Sequence, residues 1–439
     1  MSTGQDGLPR KLGLLDATSI VIGTMVGAGI FIVPGSIARE IPSSAVILAT
    51  WTACGIISFF GALAYAELGA MMPDSGGQYV YLREAYGELT AFLCGWSAFL
   101  IVQSGSIAAV SVGFGIYASY LLPQAPGYLW APAAIAAFSF INYRGVKAGA
   151  RTQNLFTFLK VAGLAVLIAS AFLRRPPALA GGSFAWGSLS LDGIVVAMLG
   201  CFMAYDGWQY VSFVAGEVRE PQRNLPLSLA LGTAAVMLLY LLANLAYMHV
   251  LPLSAIAATE RVAAEAAAET MGPAGAMVIA LTIMLSSAGA ANGAILTSPR
   301  LYFAQARDGL FFRRLGEVHP RFRTPSFSIA AQSVWAIVLA LSGSYETLLS
   351  YVLFAMWLFH ALTVFAVIVL RRRHPERPRP YRIFGYPFTP LLFTIFAFGF
   401  VVNTFATRPG SSLVGAVLIA AGIPMYWIWN RGRLRDRSG

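Results

Sequence analysis

Residues 14–37 read LLDATSIVIGTMVGAGIFIVPGSI, an apolar run with three glycines, Gly23, Gly27 and Gly29, near its middle. About 20 apolar residues in a helix cross a hydrocarbon core about 30 Å thick, and each interior glycine costs such a helix about 1 kcal/mol relative to alanine. Glycines grouped at mid-span are therefore expected to interrupt the helix. A second interruption is expected in residues 190–216, where Gly200 precedes Met203-Ala204-Tyr205-Asp206-Gly207-Trp208. One such pair would fit close helix packing through small residues, as Gly23 and Gly27 also do. Two, at the first and sixth apolar spans, point to a carrier site made from discontinuous helices in two halves of the chain.

Outward from these segments the chain keeps the same character. Its 439 residues are 57% hydrophobic and 11% charged, with a mean hydropathy of +0.68; soluble proteins have about 45–50% apolar and about 25% charged residues. Apolar spans are expected at roughly 14–37, 44–70, 88–120, 129–143, 152–173, 190–216, 227–250, 274–306, 325–342, 346–370, 387–406 and 412–430. The expected fold is an all-α integral membrane bundle of twelve transmembrane helices, because helices satisfy their own backbone and no short alternating strands are visible. Its organisation is a segment 1–13, a first five-helix repeat 14–173, a second inverted repeat 190–370, two accessory helices in 387–430 and a tail 431–439. The polar links 71–87, 307–324 and 371–386 are too short for a separate active site, and 251–272 reads as a small amphipathic helix.

The net charge of +11 does not indicate nucleic acid, because position decides its meaning. Arg39, Arg174, Arg175, Arg261 and Arg408 fall on one side of the expected spans and Lys160 within one. Most other cations fall on the opposite side, which places both termini in the cytoplasm of a cell with this protein in its inner membrane. The cluster Arg371, Arg372, Arg373, Arg377, Arg379 and Arg382 sets topology and would also attract anionic lipid head groups. Cys54, Cys94 and Cys201 lie inside expected spans and read as apolar packing residues. The polar start shows no cleavage site, so the first span is expected to be retained.

An unwound helix leaves backbone groups unpaired, which is tolerable where they line a polar cavity or a ligand satisfies them. The N–H groups near Gly27, Ala28 and Gly29 are placed to hold an α-carboxylate with the helix dipole behind them. Carbonyls near Met25, Met203 and Ala204 are placed to accept from an α-ammonium. Lys160, about nine residues into the fifth span, sits near mid-membrane, where an uncompensated charge costs at least about 2.5–3.5 kcal/mol. Its ammonium is expected to donate to carbonyls of the unwound first span, in place of a metal cation; snorkelling to interfacial water is the alternative. Asp206 is expected to cap the restarted sixth helix; carrying a proton, or touching substrate, are its other readings. Glu67 reads as an anchor for the loop that follows it. His249, His319, His360 and His374 match no metal or catalytic spacing, no nucleophile elbow or phosphate loop is present, and neither an enzyme activity nor a cofactor is expected.

Gly23-Thr24-Met25-Val26-Gly27-Ala28-Gly29-Ile30-Phe31, Tyr65-Ala66-Glu67-Leu68-Gly69 and Pro73-Asp74-Ser75-Gly76-Gly77-Gln78-Tyr79 together resemble the amino acid–polyamine–organocation superfamily. Asn142-Tyr143-Arg144-Gly145-Val146, Gln153-Asn154 with Lys160, Ala204-Tyr205-Asp206-Gly207-Trp208, Arg223-Asn224-Leu225-Pro226 and Asn292-Gly293 with Ser298-Pro299-Arg300 are similar to bacterial relatives of its L-type amino acid transporters. The resemblance implies ten helices in two inverted repeats plus two more, alternating access, and sodium-independent exchange of neutral amino acids. It further implies the carboxylate at Gly27, Ala28 and Gly29, the ammonium at backbone near Met25, Met203 and Asp206, Lys160 in a vacant cation site, and gating at Met203 and Trp208. The chain departs from the pattern at Met203, where an aromatic residue is usual, and at Ala28, often serine or threonine. Animal members join a single-span partner through an extracellular cysteine; 121–130 has none, so no disulfide-linked subunit is expected. Proton-coupled uptake, or a cationic or polyamine substrate, is the alternative within transport; a non-transporting nutrient sensor or a channel is the alternative outside it.

Overall fold

The computed structural model describes residues 7–174, 190–342 and 345–438. In chain order the helices are α1 (Leu14–Met25), α2 (Gly29–Glu40), α3 (Ser44–Met71), α4 (Gln78–Tyr86), α5 (Glu88–Ser97), α6 (Gln103–Leu121), α7 (Trp130–Tyr143), α8 (Val146–Phe172), α9 (Leu191–Ala204), α10 (Tyr210–Phe213), α11 (Pro221–Val250), α12 (Leu253–Ala258), α13 (Val262–Met271), α14 (Pro273–Thr297), α15 (Pro299–Arg307), α16 (Ser326–Leu341), α17 (Tyr345–Arg373), α18 (Phe388–Thr407), α19 (Pro409–Ala420) and α20 (Gly422–Ser438). Among the described residues nine helical segments are long and apolar enough to cross a membrane, and 192–204 and 326–341 are shorter apolar helices. The protein is thus an all-helical, multi-pass membrane protein. Arg175, one of the cations used for orientation, lies outside the described residues.

Local sequence explains several helix starts. The Ser43 and Ser190 hydroxyls accept from Val46 N and Gly193 N, at 3.4 and 2.9 Å, taking first-turn donors that have no intrahelical partner. Pro221, Pro273, Pro299 and Pro409 open α11, α14, α15 and α19, where the missing N–H costs no hydrogen bond. The expected third span is continuous through a π-helical turn at Ala98–Val102, and Ser104 Oγ reaches back to Phe99 O at 2.7 Å. The link 71–87, expected as loop, contains α4. It is too polar to read as a span, yet Tyr79, Tyr81 and Leu82 on it are buried.

The two halves of the first span pack separately: α1 lies against α8, α11 and α14, while α2 lies against α9 and α12. The N-terminal side of the bundle is closed by a clasp. Lys11 N and Leu12 N donate to Glu217 O at 2.8 and 2.9 Å, and Arg219 N donates to Leu12 O at 2.8 Å. The Glu217 carboxylate meets Arg300 Nε at 2.6 Å, both side chains 0% exposed. On the same side Tyr79 Oη donates to Asp308 at 2.8 Å and Arg83 pairs with Asp308. Burial first, and then that carboxylate, push the Tyr79 phenol well above its ordinary range.

Glu67 is an anchor, but for a segment far along the chain and not for the loop that follows it. Its carboxylate receives Arg371 Nε and Nη2 at 2.8 and 2.6 Å and Ile383 N at 2.7 Å. The arginine cluster is accordingly much less free than its sequence suggests. Arg371 also lies over the Tyr386 ring, Arg373 donates to Ala85 O, Arg377 meets Glu84, and Arg379 donates to Leu370 O. The three cysteines are buried and free.

Candidate functional site

The first break covers Val26, Gly27 and Ala28. Val26 N still donates to Ile22 O at 2.9 Å, Gly27 N turns back to Met25 O at 2.9 Å, and α2 restarts with Phe31 N donating to Ala28 O at 3.1 Å. Gly23, grouped with this break by its sequence, remains helical; a Cβ there would meet Gln153 Nε2 at 2.0 Å and Thr157 Oγ1 at 2.4 Å, so it serves contact with α8. The carbonyls at this break are taken by α8 and α14. Lys160 Nζ donates to Gly23 O and Val26 O, each at 2.8 Å, and to Ser286 O at 2.9 Å. Those three acceptors use all the donors of an ammonium, on a side chain that is 0% exposed. Ser286 Oγ adds a bond to Val26 O at 2.7 Å. On the other side of the break, the N–H groups of Ala28 and Gly29 find no acceptor among the described residues.

The second break follows Ala204, where α9 ends. Gly207 has φ 121°, a conformation that only glycine adopts readily, and a Cβ there would lie 2.8 Å from the Thr24 carbonyl. Thr24 Oγ1, which also meets Ile20 O of its own helix at 2.6 Å, lies 2.8 Å from Gly207 O, so the two breaks touch. Tyr240, on α11, joins them a second time: its hydroxyl lies 2.9 Å from Met25 O and 3.1 Å from Ala204 O. One hydroxyl proton cannot fully satisfy two carbonyls. Accepting capacity therefore remains at Ala204 O, beside Met203 O, which faces the Tyr205 N–H and, at 3.4 Å, the Asp206 N–H.

Between the breaks lies a cavity of about 350 Å³, at the lower end of the roughly 300–1,000 Å³ of small-molecule sites. Met25, Gly27, Ala28, Gly29, Met203, Ala204 and Asp206 all line it, so the expected substrate-binding residues converge on one hollow. Its exposed wall residues Ile32 and Met203, at 42% and 38%, belong to α2 and α9, away from the N-terminal clasp. A Cβ on Gly27 would touch nothing within 4 Å, whereas one on Gly29 would meet Ala204 Cα at 3.2 Å. Gly27 thus keeps the hollow open, and Gly29 lets α2 and α9 approach.

Asp206 does not cap the restarted helix. Gly207 turns the chain before α10 begins and gives its N–H to Gln209 Oε1 at 3.1 Å, while the Asp206 carboxylate accepts from Gln209 Nε2 at 3.3 Å and faces His360 Nε2 at 3.2 Å. The local capping rule lost to a partner on α17. Trp208 is not on the cavity wall. It is 2% exposed and packs against Tyr65, His360 and Phe393, ring centroids 4.9, 5.5 and 5.9 Å away. The sequence assigns no role to Tyr240 or Ser286, and His360 matches no metal or catalytic spacing; the one available signal is a polar side chain inside an apolar span, which each of them shares with many inert positions. No group of three or more His, Cys, Asp or Glu arranged for a metal occurs among the described residues.

Known proteins resemble this chain over nearly its whole length. A family model described as amino acid permease matches residues 12–429. The chain is similar to b(0,+)-type amino acid transporter 1 of Homo sapiens, 33% identical over 96% of this chain and 88% of that protein. It is similar to the serine/threonine exchanger SteT of Bacillus subtilis (strain 168), 32% identical over 97% and 98% respectively. It is also similar to the cystine/glutamate transporter of Homo sapiens, 31% identical over 97% and 86%.

Proposed function

We propose a mechanism from one premise: this chain belongs to the amino acid permease family, within the amino acid–polyamine–organocation superfamily, and is an amino acid transporter, not an enzyme. The substrate of our reading is a neutral L-amino acid, moved across the inner membrane by alternating access and in exchange for another. The observation that carries it is the pair of free N–H groups at Ala28 and Gly29 facing, across one hollow, the carbonyls of Met203 and Ala204. A zwitterion fits that polarity. Its carboxylate completes the N-terminus of α2, and its ammonium takes the carbonyl capacity that Tyr240 leaves over. Main-chain recognition leaves the side chain to Met203, Val110 and Met356, which are apolar wall residues.

In this reading 14–173 and 190–370 are the two inverted repeats, the site lies between them, and both termini are cytoplasmic. The clasp of Leu12, Glu217 and Arg300 then closes the cytoplasmic side while the hollow faces outward. Lys160 replaces a bound cation by fixing the first break to α8 and α14, which suits transport without sodium. A bridging substrate stabilises a closed state that the empty carrier lacks, and this differential interaction drives the alternation. A cationic side chain is the second reading, favoured by the Asp206 carboxylate on the wall. Counterflow in proteoliposomes tests both. Internal neutral amino acid should stimulate entry of labelled L-serine without sodium; stimulation by arginine or putrescine alone would favour the second reading, and no stimulation by any amino acid would overturn both.

A further inference from the structure

His360 is a buried imidazole, 2% exposed, in a membrane helix, and the reading above gives it no task. Its hydrogen bonds define which nitrogen carries the proton. Thr363 Oγ1 donates to Phe359 O at 2.7 Å, so toward Gln78 it can only accept. Gln78 must therefore present Nε2, which lies 3.2 Å from Thr363 Oγ1 and 3.4 Å from His360 Nδ1. Nδ1, also 3.3 Å from Tyr65 Oη, is then the acceptor, and Nε2–H is the donor to Asp206 Oδ1 at 3.2 Å. One chain of hydrogen bonds thus runs from the cavity wall through α17 to the start of α4.

α4 is tied to the same stretch of chain at its other end. Gly76 N, two residues before α4, donates to Phe213 O at 2.9 Å. The segment 206–213 is therefore held at Asp206 by His360 and at Phe213 by the approach to α4, and it continues directly into the Glu217 clasp.

We propose that His360 is a positioning residue that restrains the empty carrier: its Nε2–H holds Asp206, and a substrate ammonium arriving beside Ala204 takes that carboxylate and releases the tie. This rests on the amino acid reading above and explains why movement requires an occupant, which is exchange. The substrate shifts the balance because it binds the released arrangement in preference to the tied one.

The test is efflux of labelled L-serine from proteoliposomes containing the full chain, with and without external unlabelled L-serine. His360→Gln carries an amide N–H at the place of Nε2 and should keep the stimulation ratio. His360→Asn reaches only the place of Nδ1, and losing one hydrogen bond to a charged group should raise unstimulated efflux roughly tenfold, bringing the ratio toward one. Equal ratios in the two variants, high or low, would overturn the inference, since a packing role would not tell one amide from the other. Should His360→Asn fail to fold, Thr363→Val decides: it frees the Gln78 amide to rotate and the imidazole to move its proton to Nδ1, so the ratio should fall, and an unchanged ratio contradicts the tie. Wild-type vesicles that exchange no L-serine would instead overturn the functional reading itself, and the inference with it.

Discussion

Thr24 Oγ1 lies 2.8 Å from Gly207 O and shares its one proton between that carbonyl and Ile20 O of its own helix, 2.6 Å away, and through this contact the interruption in the first span touches the interruption in the sixth. The contact requires a residue without Cβ at 207 and a hydroxyl at 24. It fixes how far apart the free N–H groups of α2 and the end carbonyls of α9 stand, which is the dimension a bound zwitterion must match.

Removal of the Lys160 ammonium should matter for both stability and rate. Lys160→Ala leaves Gly23 O, whose helical donor Gly27 N turns to Met25 O, without a partner in a buried site, at about 1–3 kcal/mol. Exchange should fall below about a tenth of wild type, the effect of 1.4 kcal/mol or more on a rate, with a lower melting temperature in detergent. Wild-type rates would mean that the first break holds its shape without the ammonium.

Gly27 and Gly29 should fail in different ways. The side chain of Gly27→Val enters the open hollow, so binding should be lost while the melting temperature stays near wild type. Gly29→Val presses on the Ala204 backbone at 3.2 Å and should destabilise the protein by about 1–3 kcal/mol as well. Thermal shift with and without L-serine separates them; equal stability with retained binding in Gly27→Val would contradict the carboxylate placement.

Tyr240→Phe keeps the ring and removes the hydroxyl that spans Met25 O and Ala204 O. The loss should be about 0.5–1.5 kcal/mol, appearing as a several-fold weaker exchange with the fold intact. Unchanged exchange would mean that the two breaks hold their positions without the bridge.

The Arg300–Glu217 pair, 0% exposed on both sides, should show the asymmetry of buried ion pairs. Arg300→Met leaves a buried carboxylate uncompensated and should cost about 3–5 kcal/mol. The double variant Arg300→Met with Glu217→Gln should recover part of that in thermal unfolding, and a double variant worse than the single one would contradict the pairing.

Much of this was legible from the sequence because it depends on short-range rules. Of the three glycines in the first span, Gly27 and Gly29 mark the interruption while Gly23 serves packing, and the depth of Lys160 in an apolar run demands acceptors wherever they come from. What was not legible depends on partners far along the chain. Asp206 reads as a cap from its neighbours alone, but His360, 154 residues away, decides where its carboxylate points. Glu67 anchors a segment beyond Arg371 for the same reason. α4 escaped notice because its residues are too polar for a span, and burial against α17 and α5 replaces lipid as its apolar surroundings.

Competition by altered amino acids tests the main-chain recognition of the substrate most directly. If Ala28 and Gly29 read the carboxylate and Ala204 the ammonium, L-serine should inhibit exchange of labelled L-serine, while L-serine methyl ester and N-acetyl-L-serine, each lacking one charge, should be weaker inhibitors by at least about a hundredfold, some 2.7 kcal/mol. An ester or an N-acetyl derivative that competes as well as L-serine itself would contradict the account.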